Sequence, residues 1–253
     1  MTRFSTTTFR PTRFCDSRSA SYRAAVAVSA CLAGEKVRYD GADKRLSLYP
    51  LLQRELHLIP ICPELGAGLG VPRPPVQLVD TDGGVRALGR DDPAYDVTPA
   101  LQAFAAQSVQ RLRNEYALCG YLWKSRSPSC GLGSTPIFGE RGEKKGDASG
   151  IQADFFQRHL PYLCFSEESA LTTTTATLCF VLRSRLVFDI LHTTPAPLSA
   201  VHECYSPLWL RFDPRRRDCL ADLSKTPDRE NYLTALLQGS RQIEEELLLE
   251  LFV

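Results

Sequence analysis

Net charge is almost absent from this sequence: 30 Lys and Arg stand against 29 Asp and Glu, a formal +1 over 253 residues. That balance excludes the basic footprint of a protein whose main partner is nucleic acid. Long apolar runs are also missing. The best candidate, Leu178 to Leu191, is interrupted by Arg183, Arg185 and Asp189, so no membrane span is expected. No secretory apolar region opens the chain, no internal repeat is visible, and methionine occurs only at Met1.

Cysteine, in contrast, is plentiful. Cys15, Cys31, Cys62, Cys119, Cys130, Cys164, Cys179, Cys204 and Cys219 make an odd set of nine. An odd count without a secretory signal disfavours a disulfide framework and predicts reduced thiols in a cytoplasmic setting. Reduced thiols serve as core filler, metal ligand or nucleophile, and filler is the default. Residues 1–24 hold Arg3, Arg10, Arg13, Arg18 and Arg23, many Ser and Thr, and one acid, Asp16. They read as a disordered tail or as a targeting segment, and a transit peptide would move the expected location to an organelle.

Periodicity from Ala24 onward alternates strand and helix. Ala24–Ala30, Leu58–Ile61, Leu118–Trp123 and Tyr162–Phe165 read as short strands. Leu46–Leu56, a stripe following Thr98 as N-cap and Pro99 as N1, and Gly150–Leu160 read as helices. Pro50 fits the first of these helices only within its first turn. Gly66–Pro75 and Gly139–Gly150 read as loops. This order predicts an α/β, Rossmann-like domain over 25–170, with a mostly parallel sheet and flanking helices. The four strands and their helices are expected to form a closed unit. Residues 171–253 form an extension of unassigned role: 178–191 as strand or buried helix, Pro195–Asp213 as loop, Asn231–Phe252 as an amphipathic helix.

Cys31, Cys62 and Cys130 each lie at or beyond the carboxyl end of an expected strand, where an open parallel sheet binds ligands. Cys119 lies at the opposite end of its strand, and Cys164 inside one. Three thiols meeting in one crevice suggest a soft metal. Zinc favours four ligands in close pairs, and none of these three has such a partner. A cubane iron–sulfur cluster on three cysteines instead leaves one iron open to substrate. Glu64 follows in "CPELGAGL", placed to act on water; Ser127 and Ser129 flank Pro128 beside Cys130, in reach of a substrate. Arg38, Tyr39 and Asp40 follow the first thiol and suit a pocket wall.

"SACLAGEKVRYDG" (Ser29–Gly41), "ICPELGAGLGVPRPP" (Ile61–Pro75) and "KSRSPSCG" (Lys124–Gly131) together resemble the 2-thiouracil desulfurase family, also called domain of unknown function 523. "GDASGIQADFF" (Gly146–Phe156) and "FSEES" (Phe165–Ser169) are similar to its closing elements, in the same order. The resemblance implies a 4Fe-4S cluster on Cys31, Cys62 and Cys130. It implies non-redox removal of sulfur from a small thiolated nucleobase such as 2-thiouracil, with Glu64 and Ser127 as the acid/base pair. Ser29, Asp40 and Ser129 are the expected substrate contacts. A non-catalytic metal or redox sensor using the same thiols is the alternative.

Replacing Cys31, Cys62 or Cys130 by Ser is expected to abolish the visible absorption of protein reconstituted with iron and sulfide. Cys119→Ser, Cys164→Ser and Cys179→Ser are expected to retain it. Loss in Cys119→Ser with retention in Cys130→Ser would overturn the strand-end argument.

Overall fold

The computed structural model describes residues 23–192, 197–203 and 217–240. In chain order the strands are β1 (Ala25–Ser29), β2 (His57–Ile61), β3 (Val76–Thr81), β4 (Gly84–Gly89), β5 (Leu118–Trp123), β6 (Thr135–Gly139), β7 (Lys144–Ala148) and β8 (Cys164–Glu167). The helices are α1 (Tyr49–Glu55), α2 (Pro63–Gly66), α3 (Thr98–Glu115), α4 (Ile151–His159), α5 (Thr174–His192), α6 (Arg217–Leu223) and α7 (Arg229–Ser240).

β1 and β5 are buried along their whole length, the pattern of strands covered on both faces. They pair in parallel with each other. β2 joins β1 and β8 joins β5, also in parallel, so the order is β2-β1-β5-β8. The protein is therefore an α/β fold with a parallel sheet flanked by helices. Chain order reverses at β1: the first crossover leads to β2 on one side, and the later one returns to β5 on the other. Such a reversal opens a crevice at the carboxyl ends of the strands.

Two hairpins break the simple alternation. β3–β4 and β6–β7 are antiparallel pairs, and β3 joins β6 in parallel to make a second sheet, β4-β3-β6-β7. The loop expected over Gly139–Gly150 is in large part β7 and its turn. Its strand is mostly exposed and polar, "KKGDA", so no apolar alternation marks it; backbone pairing alone defines it. α3 and α4 join the two layers. Leu101 and Ile151 pack with Leu78 and Ala87 of the second sheet, while Leu112 and Phe156 pack into the main core.

Local chemistry adjusts the element ends. Pro50 occupies the first turn of α1, which starts at Tyr49 rather than Leu46. Thr98 does not cap α3. Its hydroxyl accepts the Ala87 N–H at 2.8 Å, tying the helix to β4, and the Asp96 carboxylate accepts the Thr98 N–H at 2.9 Å. The site nearest the helix start is thus served by an upstream acid.

Residues beyond 170 are part of the main core. The segment 178–191 belongs to α5, and Phe180, Val181, Val187 and Ile190 are fully buried with the residues of β1 and β5. Gly120 makes that approach possible: a Cβ there would lie 2.5 Å from the Cys164 carbonyl and 3.3 Å from Ser184 Oγ. Arg185 pairs with Glu55 of α1 at 2.6 Å, and Tyr232 and Leu233 of α7 enter the same cluster. The segments expected over Pro195–Asp213 and Asn231–Phe252 lie partly outside the described residues; residues 198–203 are helical where a loop is expected, and the described start of the second segment lies in α7 (Arg229–Ser240).

Fully burying one such side chain contributes about 1.5–3 kcal/mol. Four from α5 alone are comparable with the net stability of a domain, about 5–15 kcal/mol. A chain of residues 25–170 is therefore expected to lack a cooperative thermal transition or to precipitate, against its appearance as a closed unit in sequence. A soluble, cooperatively melting 25–170 fragment would show that α5 is dispensable.

Candidate active site

The reversal at β1 fixes where three cysteines meet. β1 ends at Ser29 opposite Ile61 of β2, and Val28 lies opposite Leu122 of β5. Three neighbouring parallel strands therefore release their chains side by side. Cys31 sits in the 3-10 turn after β1, Cys62 directly after β2, and Cys130 in the loop after β5. All three line one cavity of about 650 Å³. The second sheet supplies the facing wall through Val76, Gln77, Thr135, Pro136 and Phe138. Cys119 and Cys164 are buried in the sheet, and Cys179 in α5.

Burial, reinforced by the neighbouring Cys62 and tempered by Arg38 and Lys124, pushes the Cys31 thiol up to about 11. Burial likewise raises Cys62, while the N–H groups of Leu65 and Glu64 and the Arg73 cation pull it back. Cys130 is raised well above its ordinary value by burial, against a hydrogen bond from Ser29 and with further raising by Cys31 and Cys62. Burial thus disfavours each thiolate, Cys62 adds to that at Cys31, and Cys31 and Cys62 both add to it at Cys130. A bound cationic metal group reverses that preference, because its ligands must be deprotonated. Among the described residues, no three His, Cys, Asp or Glu side chains are gathered as a single metal ion would require. The three thiols share a wall of a larger space, and they are the side chains there that could hold a thiolate-bound group.

The loop carrying Cys130 is braced on every side. Ser127 Oγ accepts the N–H groups of Ser129 and Cys130 at 3.3 and 3.2 Å. Glu168 accepts the Ser125 N–H at 2.6 Å and the Ser125 hydroxyl at 2.8 Å, and it pairs with Lys124. Glu167 accepts the Leu132 N–H at 2.6 Å and the Ser134 hydroxyl at 2.5 Å. Arg126 takes the left-handed conformation at φ 58° and donates its N–H to Ser134 Oγ at 2.8 Å. The carbonyls of Pro128 and Ser129 accept the first N–H groups of α4, from Ile151 and Gln152, at 2.9 and 3.0 Å. The loop thereby satisfies the start of the helix that supports it.

Glu64 is held as firmly. Arg73 donates to its Oε2 from Nε at 2.7 Å and lies at 2.6 Å through Nη2. Ser129 donates to Oε1 at 2.9 Å. A carboxylate oxygen has two acceptor positions, so Oε1 retains one. Glu64 and Ser127 both line the cavity.

The expected substrate contacts separate here. Ser29 lines the cavity, accepts the Lys124 N–H at 2.9 Å and hydrogen-bonds Cys130. Ser129 is 0% exposed and stands behind Glu64 instead of on the cavity wall. Asp40 is exposed in a turn, where it accepts the Ala42 N–H at 3.0 Å and faces Arg38 at 3.5 Å. Neither is among the cavity-lining residues, because each carboxylate or hydroxyl is turned to a local partner. Arg38 and Tyr39 do line it. Arg73, Glu167 and Glu168 were not singled out from sequence, although "VPRPP" and "FSEES" contain them; their roles depend on contacts with distant loops.

Fold and site define an α/β protein with a thiol-lined cleft at a topological switch point, beside a braced carboxylate. Comparison with known proteins is consistent with that class. A family model for 2-thiouracil desulfurase matches residues 26–168, more than half of the chain. The uncharacterized protein YbbK of Bacillus subtilis (strain 168) is 30% identical over 117 residues, which are 43% of this chain and 74% of YbbK. A solved structure of a [4Fe-4S]-dependent thiouracil desulfidase, TudS, is 28% identical and superposes with a TM-score of 0.49 over 60% of this chain and 96% of that one. The chain belongs to the 2-thiouracil desulfurase family.

Gly150 is a point where the loop and α4 meet backbone to backbone. A Cβ there would meet the carbonyl carbon of Ser129 at 2.5 Å, the carbonyl oxygen of Ser127 at 2.7 Å and the nitrogen of Cys130 at 2.8 Å, all of them backbone. Gly150→Ala is expected to destabilise the protein by about 1–3 kcal/mol, as overpacking does. A urea midpoint equal to that of the unmodified chain would show that loop and helix can separate freely.

Proposed function

We propose that this protein removes sulfur from a small thiolated pyrimidine such as 2-thiouracil, water replacing the sulfur as oxygen. The carrying observation is that Cys31, Cys62, Cys130, Glu64 and Ser127 line one cavity at the strand ends. Family membership supports the substrate class. The donor set fits a 4Fe-4S cluster, since three cysteines from separate strand ends line one cavity and burial raises each thiol, which a bound cationic group would reverse. Cys31, Cys62 and Cys130 would hold such a cluster, and when bound it would supply Lewis acidity toward the sulfur of the substrate.

The chain's own groups handle the water and the protons. Oε1 of Glu64, with one acceptor position left, receives a proton from the water that attacks the ring carbon. Arg73 and Ser129 prevent the carboxylate from swinging away. Ser127 accepts two backbone N–H bonds, which leaves its own O–H to donate into the cavity toward the ring nitrogen or the leaving sulfur. The sum is thiocarbonyl plus water giving carbonyl plus hydrogen sulfide, with no net electron transfer.

A sensor would need the thiols alone. The carboxylate, buried ion pair and buried serine gathered beside them support catalysis.

Anaerobic reconstitution with iron and sulfide, followed by incubation with 2-thiouracil, tests the reading; uracil and sulfide are expected in equal amounts. Glu64→Gln keeps size but removes the acceptor charge, and general acid–base groups contribute about 10²–10⁴-fold. Turnover is expected to fall by that order at unchanged visible absorption. Retained turnover would remove Glu64 from the chemistry, and lost absorption would recast it as a structural or ligating residue.

A further inference from the structure

We infer that Arg73 is a positioning residue, one that acts on the reaction only through Glu64 by fixing which carboxylate oxygen faces the cavity. The inference rests on the desulfurase reading of the site.

Arg73 is 8% exposed, although it is an arginine with no apolar role to explain such burial. Three of its five N–H donors make hydrogen bonds, and Nη2 is also ion-paired with Glu64. Nε and Nη2 both reach Glu64 Oε2; Nη2 also donates to the Val37 carbonyl at 2.9 Å, and Nη1 to the Gly70 carbonyl at 2.7 Å. The two carbonyls come from different segments. Val37 follows the Cys31 turn, and its carbonyl also receives the Cys62 thiol at 3.7 Å. Gly70 belongs to the loop after α2. The guanidinium is therefore clamped before it meets Glu64, and it can offer the carboxylate one orientation only.

That orientation divides the labour of the two oxygens. Oε2 accepts the Nε N–H of Arg73 and lies 2.6 Å from Nη2, so it faces the guanidinium. Oε1 takes one bond from Ser129 and keeps one. Without the fork, the carboxylate could rotate about its terminal bond or turn toward Lys44 or Arg90, cations that also line the cavity. A lysine at 73 would keep the charge but lose the planar fork and both carbonyl anchors together. Misplacing a reacting group by about 1 Å can cost about 10²-fold in rate.

The test uses the full chain and the variants Arg73→Lys, Arg73→Met, Glu64→Gln and Arg73→Met/Glu64→Gln. Each is reconstituted with iron and sulfide and assayed with 2-thiouracil. The unloaded proteins are unfolded in urea. Arg73→Met and Arg73→Lys are each expected to lower kcat about 10²-fold, with visible absorption unchanged and KM within a few-fold. Guanidinium ion is expected to restore part of the kcat of Arg73→Met. The double variant is expected to be no slower than Glu64→Gln alone, because two residues acting as one unit do not add. In the unloaded protein, Glu64→Gln is expected to recover part of the urea midpoint lost in Arg73→Met, since it removes the carboxylate left buried without its partner.

Unmodified kcat in Arg73→Lys would show that charge suffices and overturn the inference. Losses that multiply in the double variant, or urea midpoints that simply add, would show that Arg73 acts apart from Glu64. Lost absorption in Arg73→Lys would assign it to Cys62 instead. If the unmodified chain leaves 2-thiouracil untouched, the desulfurase reading falls, and the urea midpoints alone then decide whether Arg73 and Glu64 work as a pair.

Discussion

Parallel pairing of β1 with β2 on one side and β5 on the other is the constraint from which the site follows. Parallel neighbours point their carboxyl ends the same way, so whatever follows each strand gathers at one edge. Cys31, Cys62 and Cys130 are far apart in sequence and come together for that reason alone. Had β5 joined β2 instead of β1, Cys130 would stand one strand farther from Cys31. The second sheet converts this edge into a cleft. Its hairpins grow from the connections after β2 and β5, pair through β3 and β6, and stand opposite the thiols.

The cavity carries groups that contribute little to stability. Cys31 and Cys130 are buried and Cys62 half-buried, where ionisation is unfavourable, and a largely buried ion pair, Arg73–Glu64, stands beside them. A buried pair rarely adds net stability over apolar residues of the same shape, whereas breaking it typically costs about 3–5 kcal/mol. Such groups belong to a site where orientation matters more than stability. Glu167 and Glu168 extend the same logic to the Cys130 loop, whose N–H groups and hydroxyls they receive. Ligand and acid/base groups are thereby fixed before anything binds, the condition under which little reordering is required on binding.

Stability comes from elsewhere. α5 and the described helices after it bury an apolar surface in the main core. The cavity can therefore carry cations, thiols and unpaired acceptor positions without drawing on its own packing. It also explains why the matched family segment, residues 26–168, is not the whole of the folded unit. Arg185–Glu55 and Arg113–Glu230 link the later helices to α1 and α3.

Much of this was legible in the sequence. The four parallel strands, the helices α1, α3 and α4, and the thiols at the strand ends were all marked by short apolar runs and by Gly and Pro. Those signals are local, and local signals survive in a linear reading. The polar strand β7 was not visible, because exposed strands carry no apolar alternation and are defined by pairing with a partner. The reach of the core beyond residue 170 was hidden as well. An apolar helix states that it is buried without stating against what. Asp40 and Ser129 illustrate the remaining gap: composition places them near the thiols, but only the folded chain decides that one turns to Ala42 and the other to Glu64. Arg73 shows the same from the other side. Its partners Val37, Glu64 and Gly70 come from separate segments, and hydrogen bonding between segments is decided by tertiary structure because its direction depends on geometry that no spacing encodes.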